Sequence, residues 1–296
     1  MSISVQLDEF LDRIAAGGEL TDDELTALGA TPDILAVGML ADTLRRRRHG
    51  SHVTYLRVAD WPCDAPLDVV PPTAREIRIT GVPETLAVAL GAVEAARARA
   101  EGRSLSGFSW ADVGRFRASG ETTTDVLAQL RSAGLDAIAH VPLDSIEDPP
   151  AALGDLAAAG YERVRLSIDK AAADARIALM REAARLQDRF GCIQSVSPLP
   201  STLGAFRPTT GYDDVKTVAL ARLAAPNIPT VQVDWLRYGP KLAQVALTFG
   251  ADDIDNVTAS DDAPDGRRRA PLEEVRRNIT AAGFEPAERD GRFALV

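Results

Sequence analysis

Between residues 52 and 255, short β-branched runs alternate with stretches of helical period about eight times, and this alternation constrains the fold more than any other feature. Strand-like runs fall at residues 52–58, 76–80, 105–110, 135–141, 164–168, 193–196, 230–233 and 251–255. Helical spacing marks 83–100, 122–133, 150–159, 171–190, 213–224 and the segment from Lys241 onward. Strand followed by helix, repeated this often, predicts an α/β fold whose parallel sheet closes into a (β/α)8 barrel of the TIM type. A helical extension over residues 1–50 precedes the barrel at 51–258. Residues 259–296 then supply a charged linker, a helix and a short extended tail with Asp290-Gly291 as its turn. In the extension, Thr21-Asp22-Asp23-Glu24 has the form of a capping box, and Thr31-Pro32 sets a cap before a proline at the first helical position. Leu35, Met39 and Leu40 would form the buried stripe of the next helix, and Arg45 to Arg48 its solvated basic end.

Composition narrows the function classes. No apolar run approaches the ~18 residues that a membrane span needs. The first residues include Asp8, Glu9 and Asp12, where a signal peptide would be apolar. A formal charge of -10 disfavours nucleic acid or an anionic membrane as partner. Two cysteines in 296 residues give no disulfide framework, which points to the cytoplasm.

The segment from Ile228 to Asp255 reads as strand, helix, strand. Within and beside it stand Asn227-Ile228-Pro229, Trp235, Gly239-Pro240-Lys241, Gln244, Leu247 and Gly250-Ala251-Asp252-Asp253. As a linked block these residues resemble the closing part of the radical S-adenosylmethionine (SAM) enzymes of the futalosine menaquinone pathway. That family includes aminofutalosine synthase, dehypoxanthine futalosine cyclase and their deazaflavin-synthase cousins. His49-Gly50-Ser51-His52-Val53-Thr54-Tyr55 is similar to the family's first strand, and the likeness runs on to Ala282-Gly283-Phe284-Glu285-Pro286.

The resemblance implies a barrel acting in menaquinone biosynthesis, with a [4Fe–4S] cluster held by Cys-x3-Cys-x2-Cys in the loop after the first strand. Here that loop holds Cys63 alone. Its partners would be Leu67 and Val70, Ala59 and Pro66, or Leu56 and Asp60, according to register, and Cys192 lies far along the chain. Two cysteines cannot supply three thiolates, so no iron–sulfur cluster is expected, and SAM binding stays open. The family's glycine-rich loops after strands two and four are also replaced, by Thr80-Gly81-Val82-Pro83-Glu84 and Ala139-His140-Val141-Pro142-Leu143-Asp144.

In such barrels chemistry collects at the C-terminal ends of the strands. His140 is the natural general base there, and Asp252 is the second catalytic candidate. Arg57, Asp169, Asp234, Trp235 and Asp253 are candidates for binding a substrate, with Asp144, Lys170, Ser197 and Arg237 nearby in the same loops. Strand alternation puts Arg165, Ser167 and Asp169 on one face, which demands either a polar cavity or internal ion pairs. No metal-ligand spacing occurs. The structural alternatives are a hydrogen-bonding role for His140, a capping role for Asp252-Asp253, and a mouth plugged by Trp61, Trp110 or Trp235. The reading adopted is a cluster-less family homologue working as a non-radical binding or partner subunit. Its partner would be an intact radical SAM paralogue or a second copy of itself, and its ligand a small polar metabolite. The alternatives are a barrel enzyme using His140 and carboxylates, and a pure scaffold.

Overall fold

Three helices, α1 (Ile3–Ala16), α2 (Asp22–Ala30) and α3 (Ile34–His49), precede the first strand in the computed structural model, which describes residues 3–118, 120–200, 210–260 and 271–296. The strands that follow are β1 (His52–Pro62), β2 (Glu76–Thr80), β3 (Ser104–Ser109), β4 (Ala137–Pro142), β5 (Val164–Ile168), β6 (Ile193–Pro198), β7 (Thr230–Asp234) and β8 (Asp253–Thr258). Each pairs in parallel with the next, and β1 pairs with both β8 and β2, so the sheet closes into a (β/α)8 barrel. Around it run α4 (Leu86–Ala98), α5 (Trp110–Phe116), α6 (Thr123–Ala133), α7 (Pro149–Ala158), α8 (Ala173–Phe190), α9 (Gly211–Ala224) and α10 (Trp235–Leu247). Among the described residues no helix is long and apolar enough to cross a membrane.

Alternation along each strand divides the barrel. Ile77, Ile79, Leu166, Ile168, Val231 and Val233 are buried in the apolar core, while the residues between them are polar. The chain then continues through α11 (Pro271–Ala281) into β9 (Glu285–Glu288). Strand β9 pairs in parallel with the first residues of β1, His52 to Tyr55, whereas β2 pairs with β1 only from Val58 onward. It therefore completes the barrel wall below β2. Beyond it, Arg289, Gly291 and Phe293 turn inward and form the barrel floor. Sequence alone had shown only a turn between two extended pieces.

Local chemistry accounts for the helix boundaries. The capping box at Thr21 and Glu24 forms as expected. Thr31, however, ends α2, and Asp33 caps α3 through its side chain. The buried face of α3 is Ala36, Val37, Leu40 and Ala41, so Leu35 and Met39 are 69% and 54% exposed. Packing on both α1 and α9 turns the helix away from the stripe that spacing suggested. Of its terminal arginines, Arg46, Arg47 and Arg48 are exposed as expected and Arg45 is buried, and three of the four bind carbonyls. Arg45 donates to the carbonyls of Gly50 and His52, Arg47 to that of Ile14, and Arg48 to those of Pro226 and Ile228. Helix α10 starts at Trp235, capped by Asp234, and breaks at Gly239, whose φ of 70° suits glycine. Helix α5 had no counterpart in the sequence reading, and the charged linker at 261–269 lies outside the described residues.

Candidate functional site

Register decides which side chains meet inside the barrel. Glu76 of β2 accepts from Arg165 of β5 at 3.1 and 2.6 Å. These strands are not neighbours in the sheet, so the pair crosses the interior. Arg78 donates to Glu76 at 2.7 Å and to both oxygens of Asp255 at 3.0 and 3.1 Å. Lower down, Arg289 holds Asp253 in a two-pronged pair at 2.6 and 2.7 Å, and Gln232 adds a third bond at 2.7 Å. Phe293 lies 3.9 Å from the Arg289 guanidinium and 5.4 Å from that of Arg165, whose Nη2 also donates to the Gly291 carbonyl at 2.6 Å.

The interior is thus an ionic core in which three guanidinium groups balance three carboxylates. Burial works to raise the pKa of Glu76, but Arg165 and Arg78 hold it well below the usual carboxylate range. Asp253 is likewise held low by Arg289 against burial. Of the two outcomes that alternation allowed for Arg165, ion pairing is the one realised. Arg165 Nε and Ser195 Oγ remain buried with no hydrogen-bond partner among the described residues, a setting for ordered water.

At the C-terminal ends of the strands the chemistry changes. His140 Nε2 and Asp169 Oδ2 lie 2.8 Å apart, linking β4 to the residue after β5. The His140 side chain is 43% exposed and that of Asp169 is 14% exposed. Asp169 is positioned by Asp144, in the 3₁₀ turn Leu143–Ser145, which accepts from the backbone N–H groups of Asp169, Lys170 and Ala171. Burial pushes the Asp169 pKa up. The hydrogen bond and charge of His140, with Arg237 and Ser167, outweigh that and hold it below the ordinary value. Asp234 accepts from the N–H groups of Leu236 and Arg237 at 2.9 and 2.8 Å and from Asn256 Nδ2 at 3.1 Å. Burial and the neighbouring Asp255 raise its pKa. A groove of about 570 Å³ also lies outside the barrel wall between α2, α8 and α9, floored by Ile177 and Leu220.

The residues singled out from sequence therefore separate into two groups. His140, Asp169 and Asp234 stand at strand C-termini. Asp252 does not, because β8 starts at Asp253 and its predecessor lies at the opposite end of the barrel. There its carboxylate is committed to the buried Arg222 and to the Val231 N–H, with His49 Nε2 at 3.4 Å. Asp253 is tied into the ionic core, and Arg57 reaches Glu288 of β9 at 2.6 Å. Trp235 is buried in the apolar core at the start of α10. Trp61 is fully buried too, with the Arg99 guanidinium 5.8 Å from its ring just beyond α4, so it faces the helical layer and not the mouth. Glu76, Arg78 and Arg289 were missed; the alternation Glu76-Ile77-Arg78-Ile79 was the signal for the first two.

The two cysteines lie at opposite ends of the barrel. Cys63 follows β1, its N–H bonded to the Thr80 carbonyl, and Leu67 and Val70 pack against the apolar core. Cys192 precedes β6, is 5% exposed, and has its thiol pKa pushed up by burial. One thiol reaches the loop where three thiolates would be needed, so the residues present do not fit a [4Fe–4S] cluster held by this chain alone.

Comparison with known proteins follows the same lines. The family model described as the CofH/MqnC C-terminal region matches residues 197–295. The 5-amino-6-(D-ribitylamino)uracil–L-tyrosine 4-hydroxyphenyl transferase of Archaeoglobus fulgidus is 31% identical over 210 residues, which span 61% of each chain. Aminodeoxyfutalosine synthase of Thermus thermophilus is 26% identical over 356 residues, covering 96% of this chain and 94% of that one. That alignment is longer than the 296-residue chain, so the relative carries segments with no counterpart here. Cyclic dehypoxanthine futalosine synthase of Streptomyces coelicolor is 22% identical, covering 98% of this chain and 88% of that one. Crystal structures of methylornithine synthase (TM-score 0.66, 94% and 97% coverage) and of the [FeFe]-hydrogenase maturase HydG (0.69, 96% and 76%) share the fold at 14% identity. With the barrel already in view, the chain is similar to the CofH/MqnC C-terminal region over residues 197–295 and, at lower identity, to futalosine-pathway enzymes over nearly all of its length.

Proposed function

We propose that this chain is a cluster-less member of the futalosine-pathway radical SAM family, serving menaquinone biosynthesis as a non-radical binding or partner subunit. One observation carries the reading. The chain aligns with 94% of the length of aminodeoxyfutalosine synthase of Thermus thermophilus, while the loop that would hold the cluster contains a single thiol, Cys63. Soft thiolate ligands stabilise such a cluster, and in no register does the loop offer a second thiolate or a histidine beside Cys63. This chain offers a neutralised ionic core, a floor built by the C-terminal tail, and polar groups at the strand ends. A fold kept without its chemistry is suited to holding a metabolite or to pairing with an intact paralogue.

Thermal-shift measurements with SAM, 5′-deoxyadenosine and futalosine, on wild type and on His140→Ala, test the binding role. A ligand-dependent shift that is lost in the variant supports a retained mouth site. Co-purification with an intact radical SAM paralogue from the native host tests the partner role. No shift with any of the three ligands and no such partner would leave the proposal without support and favour a scaffold.

A further inference from the structure

The geometry points to a cofactor-free general base at the barrel mouth: His140 oriented by Asp169, with Asp144 as the positioning residue that fixes Asp169. This goes beyond binding, and it rests on the reading that the mouth admits a small molecule. A working base needs one ring nitrogen held, the other free, and a path for the substrate. Asp169 engages Nε2 at 2.8 Å, which leaves Nδ1 of the neutral ring with its lone pair. The exposed part of the ring supplies the path. The largely buried carboxylate of Asp169 then stabilises the imidazolium that forms on proton uptake. Asp144 secures this arrangement by accepting from three successive backbone N–H groups at residues 169–171, so the loop cannot turn Asp169 away without breaking all three bonds.

The other two histidines lack these features. His49 is packed beside Arg222, Arg48 and Arg45 with its Nε2 on the Pro229 carbonyl. His52 faces the exposed Glu285, at 3.6 Å. Asp234 closes β7 at the same end of the barrel, and the chemistry open to the base is proton removal from a carbonyl or hydroxyl compound. In the step itself, the proton passes from a substrate hydroxyl, or from a carbon beside a carbonyl, to Nδ1. The imidazolium returns it to the rearranged product, so no electron acceptor is required.

The test uses 5-nitrobenzisoxazole, from which a base removes the ring C–H proton as the N–O bond breaks to give a coloured cyanonitrophenolate. On the full chain, turnover should fall on the order of 10²-fold in His140→Ala and about tenfold in Asp169→Asn and Asp144→Asn, and stay unchanged in His52→Ala. A downfield imidazole N–H proton resonance should be present in wild type, absent in Asp169→Asn and broadened in Asp144→Asn, with the circular dichroism of each unchanged. Turnover no faster than that of free imidazole, or equal in His140→Ala, overturns the inference. If ligand shifts persist in that event, the binding role stands and only the base falls; if both are missing, both fall.

Discussion

Replacing Arg289 by methionine removes the charge of a pair in which neither partner is more than 1% exposed, while keeping most of the side-chain volume. Asp253 would retain the Gln232 and Thr54 donors but lose both charge-assisted bonds. An unpaired buried carboxylate of this kind costs about 3–5 kcal/mol. Loss of the Arg289–Phe293 contact adds about 1 kcal/mol. Equilibrium urea denaturation should therefore show a loss of about 5 kcal/mol at pH 7 for the single variant. Asp253→Leu combined with Arg289→Met should recover most of it, because no charge is then stranded. The sign of the pH dependence follows from the same pair. In wild type the Asp253 pKa is depressed, so its contribution is present above the unfolded value of about 4 and is lost as pH falls through the folded value. In Arg289→Met the buried acid is instead easier to protonate, and the gap between the two proteins should narrow as pH drops towards 4. A single-variant loss below about 1 kcal/mol, or a double variant no better than the single, would refute the ionic-core account.

Other outcomes follow from the same structure. The pKa of His49 is pushed down to about 4 by burial, then by Arg222, so the unfolded chain takes up a proton from about pH 6.5 while the folded one resists until about 4. Stability should thus decline across that window as pH falls, by about 2 kcal/mol after allowing for partial exposure, and His49→Gln should flatten the slope in denaturation at a series of pH values. Trp61→Ala should cost about 3–5 kcal/mol by calorimetry through a cavity in the helical layer, without changing any ligand-dependent shift. A Cβ at Gly291 would overlap the Ser104 hydroxyl and the Glu76 carboxylate, so Gly291→Ala should lose about 2 kcal/mol of stability in urea, at the base of the barrel and not at its mouth.

Much of the fold was legible because each strand and helix carries its own period. The run Val164–Ile168 is read at the same bounds in sequence and structure, since β-branched and apolar residues there meet no competing signal. Failures have a common cause in tertiary contact. Leu35 and Met39 look buried by spacing, yet packing of α3 on α1 and α9 selects another face. The arginine run at the end of α3 is exposed at Arg46, Arg47 and Arg48 as a solvated terminus should be, but Arg45 is buried on the carbonyls of Gly50 and His52, and Arg48 reaches as far as Pro226. Asp252 looked like a mouth residue because its strand could be placed only to within a residue or two, and in a parallel barrel that decides which end a side chain serves. The pairing of Arg289 with Asp253 spans 36 residues of chain and left no periodic trace.

The proposal that this chain works without a cluster is tested most directly by anaerobic reconstitution with iron and sulfide, followed by gel filtration and a SAM cleavage assay with reductant. The account predicts no cluster absorbance, no stoichiometric iron after filtration, and no 5′-deoxyadenosine. Cluster absorbance that persists through filtration on monomeric protein, with 5′-deoxyadenosine formed from SAM, would contradict it.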